Sequence, residues 1–144
     1  MKKFVFELEK VLEYRTFEKD QAEGELAKAL AVENQINENL KMIAQQFAAL
    51  KQQMKGSNDF YDVVSQGQYT NLLNYQKEEL LKQLAEAKIV SEQKRDVLRE
   101  CMKKTTALEK LKEKQLAEYK EAADYEEAEL MDEMATAKGN KKLS

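Results

Sequence analysis

The sequence predicts an all-α fold: two long helices folded back on each other as an antiparallel coiled-coil hairpin, the second longer and projecting. Three observations predict it. Apolar residues recur in alternating steps of three and four, the spacing that keeps one helix face turned to a partner helix. The composition has 35% charged residues, four glycines and no proline in 144 residues, which suits long helices better than a mixed compact domain. One strong turn signal, KGSNDF at 55–60, divides the pattern in two.

The first helix is expected over about 3–55. Its stripe runs Val5, Leu8, Leu12, Arg15, Lys19, Ala22, Leu26, Ala29, Glu33, Ile36, Leu40, Ile43, Phe47, Leu50 and Met54, nearly clean from Leu26 onward. Glu25, Asn34, Asn37, Lys41, Gln45 and Gln52 form the solvated side. The turn and tip are expected over about 56–68. Gly56 can take a left-handed conformation that ends a helix, and Ser57, Asn58 or Asp59 can cap the next one. Gly67 is a second weak point, so 57–68 can form a short helical piece or an irregular bend.

The second helix is expected over about 69–137, with a basic tail at 138–144. Its stripe takes Tyr69, Leu73, Leu80, Leu84, Ala87, Leu98, Cys101 and Leu108, with polar members at Ser91, Lys94 and Thr105. Near Leu108 and Leu111 the phase slips, and Leu116, Tyr119, Ala123 and Leu130 follow it, which changes the supercoil locally without ending the helix. At about 1.5 Å per residue the first helix spans roughly 75 Å and the second roughly 100 Å or more. The whole chain reads as a single coiled-coil domain.

Composition excludes much chemistry. With no His there is no imidazole base, no Ser-His pair and no HExxH zinc site. Glycines at 24, 56, 67 and 139 are too scattered to cradle a phosphate. Glu126, Glu129 and Glu133 stack on one helical face, but no second ligand type converges on them, and a solvated charge strip is the expectation. Cys101 falls on the seam and reads as a small buried hydrophobe. No enzyme activity, metal or cofactor is expected. Net charge is -3, and from Glu118 to Glu133 eight acidic residues face Lys120 alone, which repels nucleic acid. MKKFVFELEK is not a signal peptide and no run approaches a membrane span, so a soluble cytoplasmic chain is expected.

The surface and ends of the hairpin are where function is expected. Phe4, Phe6, Leu8, Val11 and Leu12 make an apolar arc too broad for one seam; the excess either covers the second helix where it outruns the first or meets a partner. Arg15 and Lys19 on the seam can pair with Glu109 or Glu113 and hold the register. Near the tip Tyr69, Leu72, Leu73 and Tyr75 come in steps too dense for one stripe, leaving aromatic or aliphatic surface exposed.

The opening FxFxLEKVLEYR, carried here by Phe4, Phe6, Leu8, Glu9, Lys10, Val11, Leu12, Tyr14 and Arg15, resembles the N-terminal signature of the FliJ family of flagellar export proteins. Met131, Asp132, Glu133 and Ala135 match that family's terminal MDExA-like motif. The resemblance implies a component of the flagellar type III export apparatus, cytoplasmic and peripherally associated with the basal body at the inner membrane. It implies a stalk like that of the rotary ATP synthase γ subunit, which binds the hexameric export ATPase FliI, contacts the export gate FlhA and escorts export chaperones. On that resemblance Phe4, Phe6, Leu8, Val11, Leu12, Arg15, Glu18, Tyr119, Met131, Asp132 and Glu133 are expected to meet the ATPase. Tyr69, Leu72, Leu73 and Tyr75 are expected to meet the gate. The rival reading is a structural coiled-coil adaptor or spacer with no ATPase partner.

Overall fold

A computed structural model describes residues 2–56 and 59–143, with side chains placed as far as Gly139. The chain is all-α. Helix α1 spans Glu9–Met54 and helix α2 spans Phe60–Leu143, 46 residues against 84. Backbone proximity divides it into two compact units, Met1–Lys19 with Glu100–Ser144 and Asp20–Arg99.

α1 begins six residues later than the periodicity suggests, because residues 2–6 are not helical and 7–8 form a turn. Outside a helix the steps of three and four no longer set which side chain faces α2, and here Phe6 is in the seam, 5% exposed, while Val5 is 74% exposed. A buried phenyl ring removes more apolar area from water than a valine would, which favours this choice. The Phe6 carbonyl accepts the Glu9 N–H at 3.1 Å and the Leu8 carbonyl accepts the Leu12 N–H at 2.9 Å, so the helix starts by a tightened turn. Glu9 then places a carboxylate in the first turn, where the helix dipole favours it.

At the other end of α1, Gly56 has no positive φ, correcting the expected left-handed stop. Its N–H reaches the Gln53 carbonyl at 3.4 Å, so the last turn is closed by tightening instead. Of the three expected caps, Ser57 and Asn58 lie outside the described residues. Asp59 caps α2: its Oδ1 accepts the Tyr61 N–H at 3.2 Å and its carbonyl accepts the Val63 N–H at 3.0 Å. With this cap α2 starts at Phe60, well before 69, and runs through Gly67. A glycine inside a helix costs only about 1 kcal/mol, too little to break one that is capped and continued by Leu73.

In the second unit Ile43, Leu50 and Leu73 form the buried cluster, with Phe47 and Leu80 packed against it. Leu73 is 1% exposed. Ala22, Ala29, Ile36 and Ala87 extend the buried seam. Ser91 is fully buried, its hydroxyl donating to the Ala87 carbonyl at 3.1 Å. The seam on α2 passes through Gln66 and Thr70, both half-buried, and leaves Tyr69 on the surface. Counting back from Leu73 by three and then four gives that register, and it lets the tyrosine keep its hydroxyl in water.

In the first unit the helices are antiparallel, since Arg15 lies opposite Thr105 and Glu9 opposite Lys112. Leu12 and Thr105 are buried there. The Thr105 hydroxyl has two acceptors in range, the Cys101 carbonyl at 2.9 Å within α2 and the Arg15 carbonyl at 3.2 Å across on α1. Cys101, expected as a buried hydrophobe, is half-buried. Both Leu111 and Lys112 are half-buried, as are Gln115 and Leu116, which is where the spacing predicts the seam to change phase.

Candidate functional site

The first unit carries two residues of α1 on the seam that would be expected to pair across it. They do not. Arg15 pairs with Glu18 at 3.2 Å on its own helix and lies 5.9 Å over the Tyr14 ring, a carboxylate three residues on being a neighbour on the same helix face. The ion pair that does join the helices here is Lys112 with Glu9, at 2.8 Å.

Around this pair the non-helical N-terminal segment lies on α2. Phe4 packs its ring against Tyr119, centroids 5.5 Å apart and planes tilted by 50°, and the Tyr119 hydroxyl donates to the Lys2 carbonyl. Phe6 and Leu12 are consumed by the core and offer nothing to a partner. Leu8 and Val11 keep part of their surface, Glu18 is half-buried, and Tyr14 and Phe17, which the stripe argument passed over, are exposed beside them. Those two aromatics were detectable from sequence: each stands one or two positions off a seam place already taken by Arg15 or Lys19.

Beyond Tyr119 the stripe of α2 goes on through Ala123, Leu130 and Met134 in steps of four, seven and four. From Asp124 to Lys138 every residue is exposed, including Tyr125, Leu130, Met131 and Met134. This is seam without a partner, for among the described residues α1 and the segment before it reach only as far as Tyr119. Its flanks are acidic: Glu126, Glu127, Glu129, Asp132 and Glu133 lie within two turns. Among the described residues no group of three metal-ligating side chains is drawn together. No helix there is long and apolar enough to cross a membrane.

The second unit carries a different surface. Of the four residues expected near the tip, Leu73 is in the core, while Tyr69, Leu72 and Tyr75 are exposed, Tyr75 at 65%. Tyr75 stands on the rim of a groove of about 390 Å³ lined also by Asn39, Met42, Gln46, Gln76 and Gln83, with Ile43 and Leu80 beneath. Met42 is 56% exposed. Phe60, Tyr61 and Val64 line a separate depression at the start of α2. Sequence reasoning missed Met42 and the Phe60–Val64 turn. For Phe60–Val64 the signal was present as charge depletion, since Phe60–Gln76 contains one charged residue, Asp62, in a chain that is 35% charged; for Met42 no local signal exists.

Compared with known proteins, the sequence pattern of one family, described as Flagellar FliJ protein, matches residues 4–144. No curated protein and no solved structure matches the chain.

Proposed function

Since the chain belongs to the FliJ family and is a component of the flagellar export apparatus, we propose that it docks the export ATPase FliI through its first unit and the export gate FlhA through its second. The observation that carries the ATPase half is the uncovered stripe of Leu130, Met131 and Met134, flanked by carboxylates. A stripe built for a helical partner, left bare and ringed with negative charge, fits a basic, apolar-lined opening such as the collar of a hexameric ring. Charge draws it in and the apolar side chains hold it. Phe4 and Tyr119 stand at the base of that stripe, and Asp132 and Glu133 supply the charge. Leu8, Val11, Arg15 and Glu18 form a second level of the same docking further along the unit, where Glu9 meets Lys112 and Arg15 meets Thr105. A γ-like stalk works in this way, as an asymmetric shaft that a ring grips.

Tyr69, Leu72 and Tyr75 supply the gate contact. They are exposed and aromatic or aliphatic, on a stretch of α2 in which Phe60–Gln76 holds one charged residue, the composition of an anchoring patch. One chain holding both partners couples ATP hydrolysis to export, and the escort of export chaperones is a further role of the same kind.

The test mixes the purified chain with the purified export ATPase. Binding and a rise in ATP hydrolysis are expected. Reversing Asp132 and Glu133 to Lys together is expected to remove both, while Tyr75→Ala spares them and weakens gate binding. A chain that neither binds the ATPase nor changes its turnover overturns the ATPase half, and gate binding untouched by Tyr75→Ala and Leu72→Ala overturns the other.

A further inference from the structure

Of the uncovered acidic and neutral faces, only the neutral one tolerates a copy of itself. The acidic face carries eight carboxylates against one lysine between Glu118 and Glu133, so a second copy laid on it is repelled. The groove of the second unit is lined by four carboxamides, Asn39, Gln46, Gln76 and Gln83, and by Met42 and Tyr75. Its one ionised residue, Glu79, already pairs with Lys82 at 3.6 Å.

We infer that this groove is an interface between two copies of the chain, an isologous dimer in which Met42 and Tyr75 of each copy enter the groove of the other. A two-fold interface sets one patch against itself, so any net charge on the patch is doubled against itself. A neutral patch escapes that penalty. A carboxamide also carries both donor and acceptor, so identical amides pair across the axis, as rows of carboxylates or ammonium groups cannot. Exposed Met and Tyr set among carboxamides, with the one ionised lining residue already paired, give the composition of an interface core. The dimer shares Tyr75 with the gate contact proposed above but does not depend on it. The two occupants exclude each other, so the dimer is the form of the chain that leaves the gate free.

The experiment is sedimentation equilibrium on the purified full chain across a wide concentration range, at low and high salt. The expected result is a concentration-dependent rise toward twice the 16.7 kDa chain mass, unweakened by salt because no charges are paired across it. Met42→Glu and Tyr75→Glu, both surface changes, are each expected to weaken the dimer at least tenfold while the urea midpoint stays in place. Leu130→Glu is expected to leave it intact. A single-chain mass at every concentration overturns the proposal. So does a dimer that salt dissolves, or one that Leu130→Glu breaks and Tyr75→Glu does not. Gate binding measured on the same variants separates the two ideas: a dimer that forms without any gate binding removes only the gate reading, and gate binding by a chain that stays single removes only the dimer.

Discussion

The acidic face on Glu118–Glu133 belongs to α2 alone and the neutral face around Tyr75 is shared by α1 and α2; both expose methionine and tyrosine, and they differ in charge and in what lies beneath. Under the neutral face Leu73 is wholly buried and Ile43 and Leu80 close the groove. Under the acidic face, past Ala123, there is no second layer, and the apolar side chains stand on a bare helix. The difference teaches how a coiled coil can carry two kinds of recognition. A surface with no core behind it and many carboxylates acts at a distance of about a Debye length, roughly 8–10 Å in physiological salt. A neutral surface backed by a core acts only on contact, through shape.

The largest expected effect tests the backing. Leu73→Ala should cost on the order of 3–4 kcal/mol of stability, because it empties a fully buried site, whereas Leu130→Ala, the same chemical change on the acidic face, should stay within about 0.5 kcal/mol. Urea denaturation of the two variants reads both, and equal losses would mean that the acidic stripe is covered after all. Next is Phe6→Ala, which should cost ~2–3 kcal/mol, below the usual range for a buried Phe because the non-helical segment can relax. It should also release the Phe4 and Tyr119 contact, seen as faster amide exchange at Glu9–Leu12.

The charge difference comes third. Raising salt from about 50 to about 300 mM should slow association of the acidic face with its partner by roughly tenfold or more. Association through the neutral face should change by less than about twofold, since it pairs no ions. Stopped-flow mixing across a salt series checks this, and parallel salt slopes would erase the distinction. Gly67→Ala should add about 0.5–1 kcal/mol to α2 under the neutral face, for the site is helical and an added Cβ meets nothing within 4 Å. The smallest effect belongs to Glu9 and Lys112, whose partly exposed pair should show a coupling of about 0.2–1 kcal/mol in a double-mutant cycle.

Much of this fold was legible as spacing. The steps of three and four from Leu12 to Leu50 mark the side of α1 that is covered, and those from Leu73 to Thr105 mark the side of α2, polar members included. Val5, Leu8 and Met54 fit the same arithmetic and are exposed, because periodicity holds only while the backbone is helical and the partner continues. Val5 precedes the helix, and Met54 follows the last seam contact at Leu50. The candidate surfaces were legible in part. Tyr69, Leu72 and Tyr75 stand out for their density, but nothing local separates them from Leu73, which lies in their midst and is buried. Met42 adjoins a seam residue and could be recognised only once the opposite wall of its groove was known.

The sequence by itself determined that two helices form, where the chain turns, which stripe of each is buried and where the charge lies, because these follow from local spacing and composition. The tertiary structure decided three things that depend on partners distant in the chain. It turned Phe6 inward in place of Val5, since the segment before α1 leaves the helix and packs Phe4 on Tyr119. It set Lys112 against Glu9 and kept Arg15 on its own helix, since the geometry of the facing helix selects which charges meet. It left the stripe after Ala123 bare, since an apolar pattern states only what a helix can bury, and the helix that would cover it must be supplied from elsewhere.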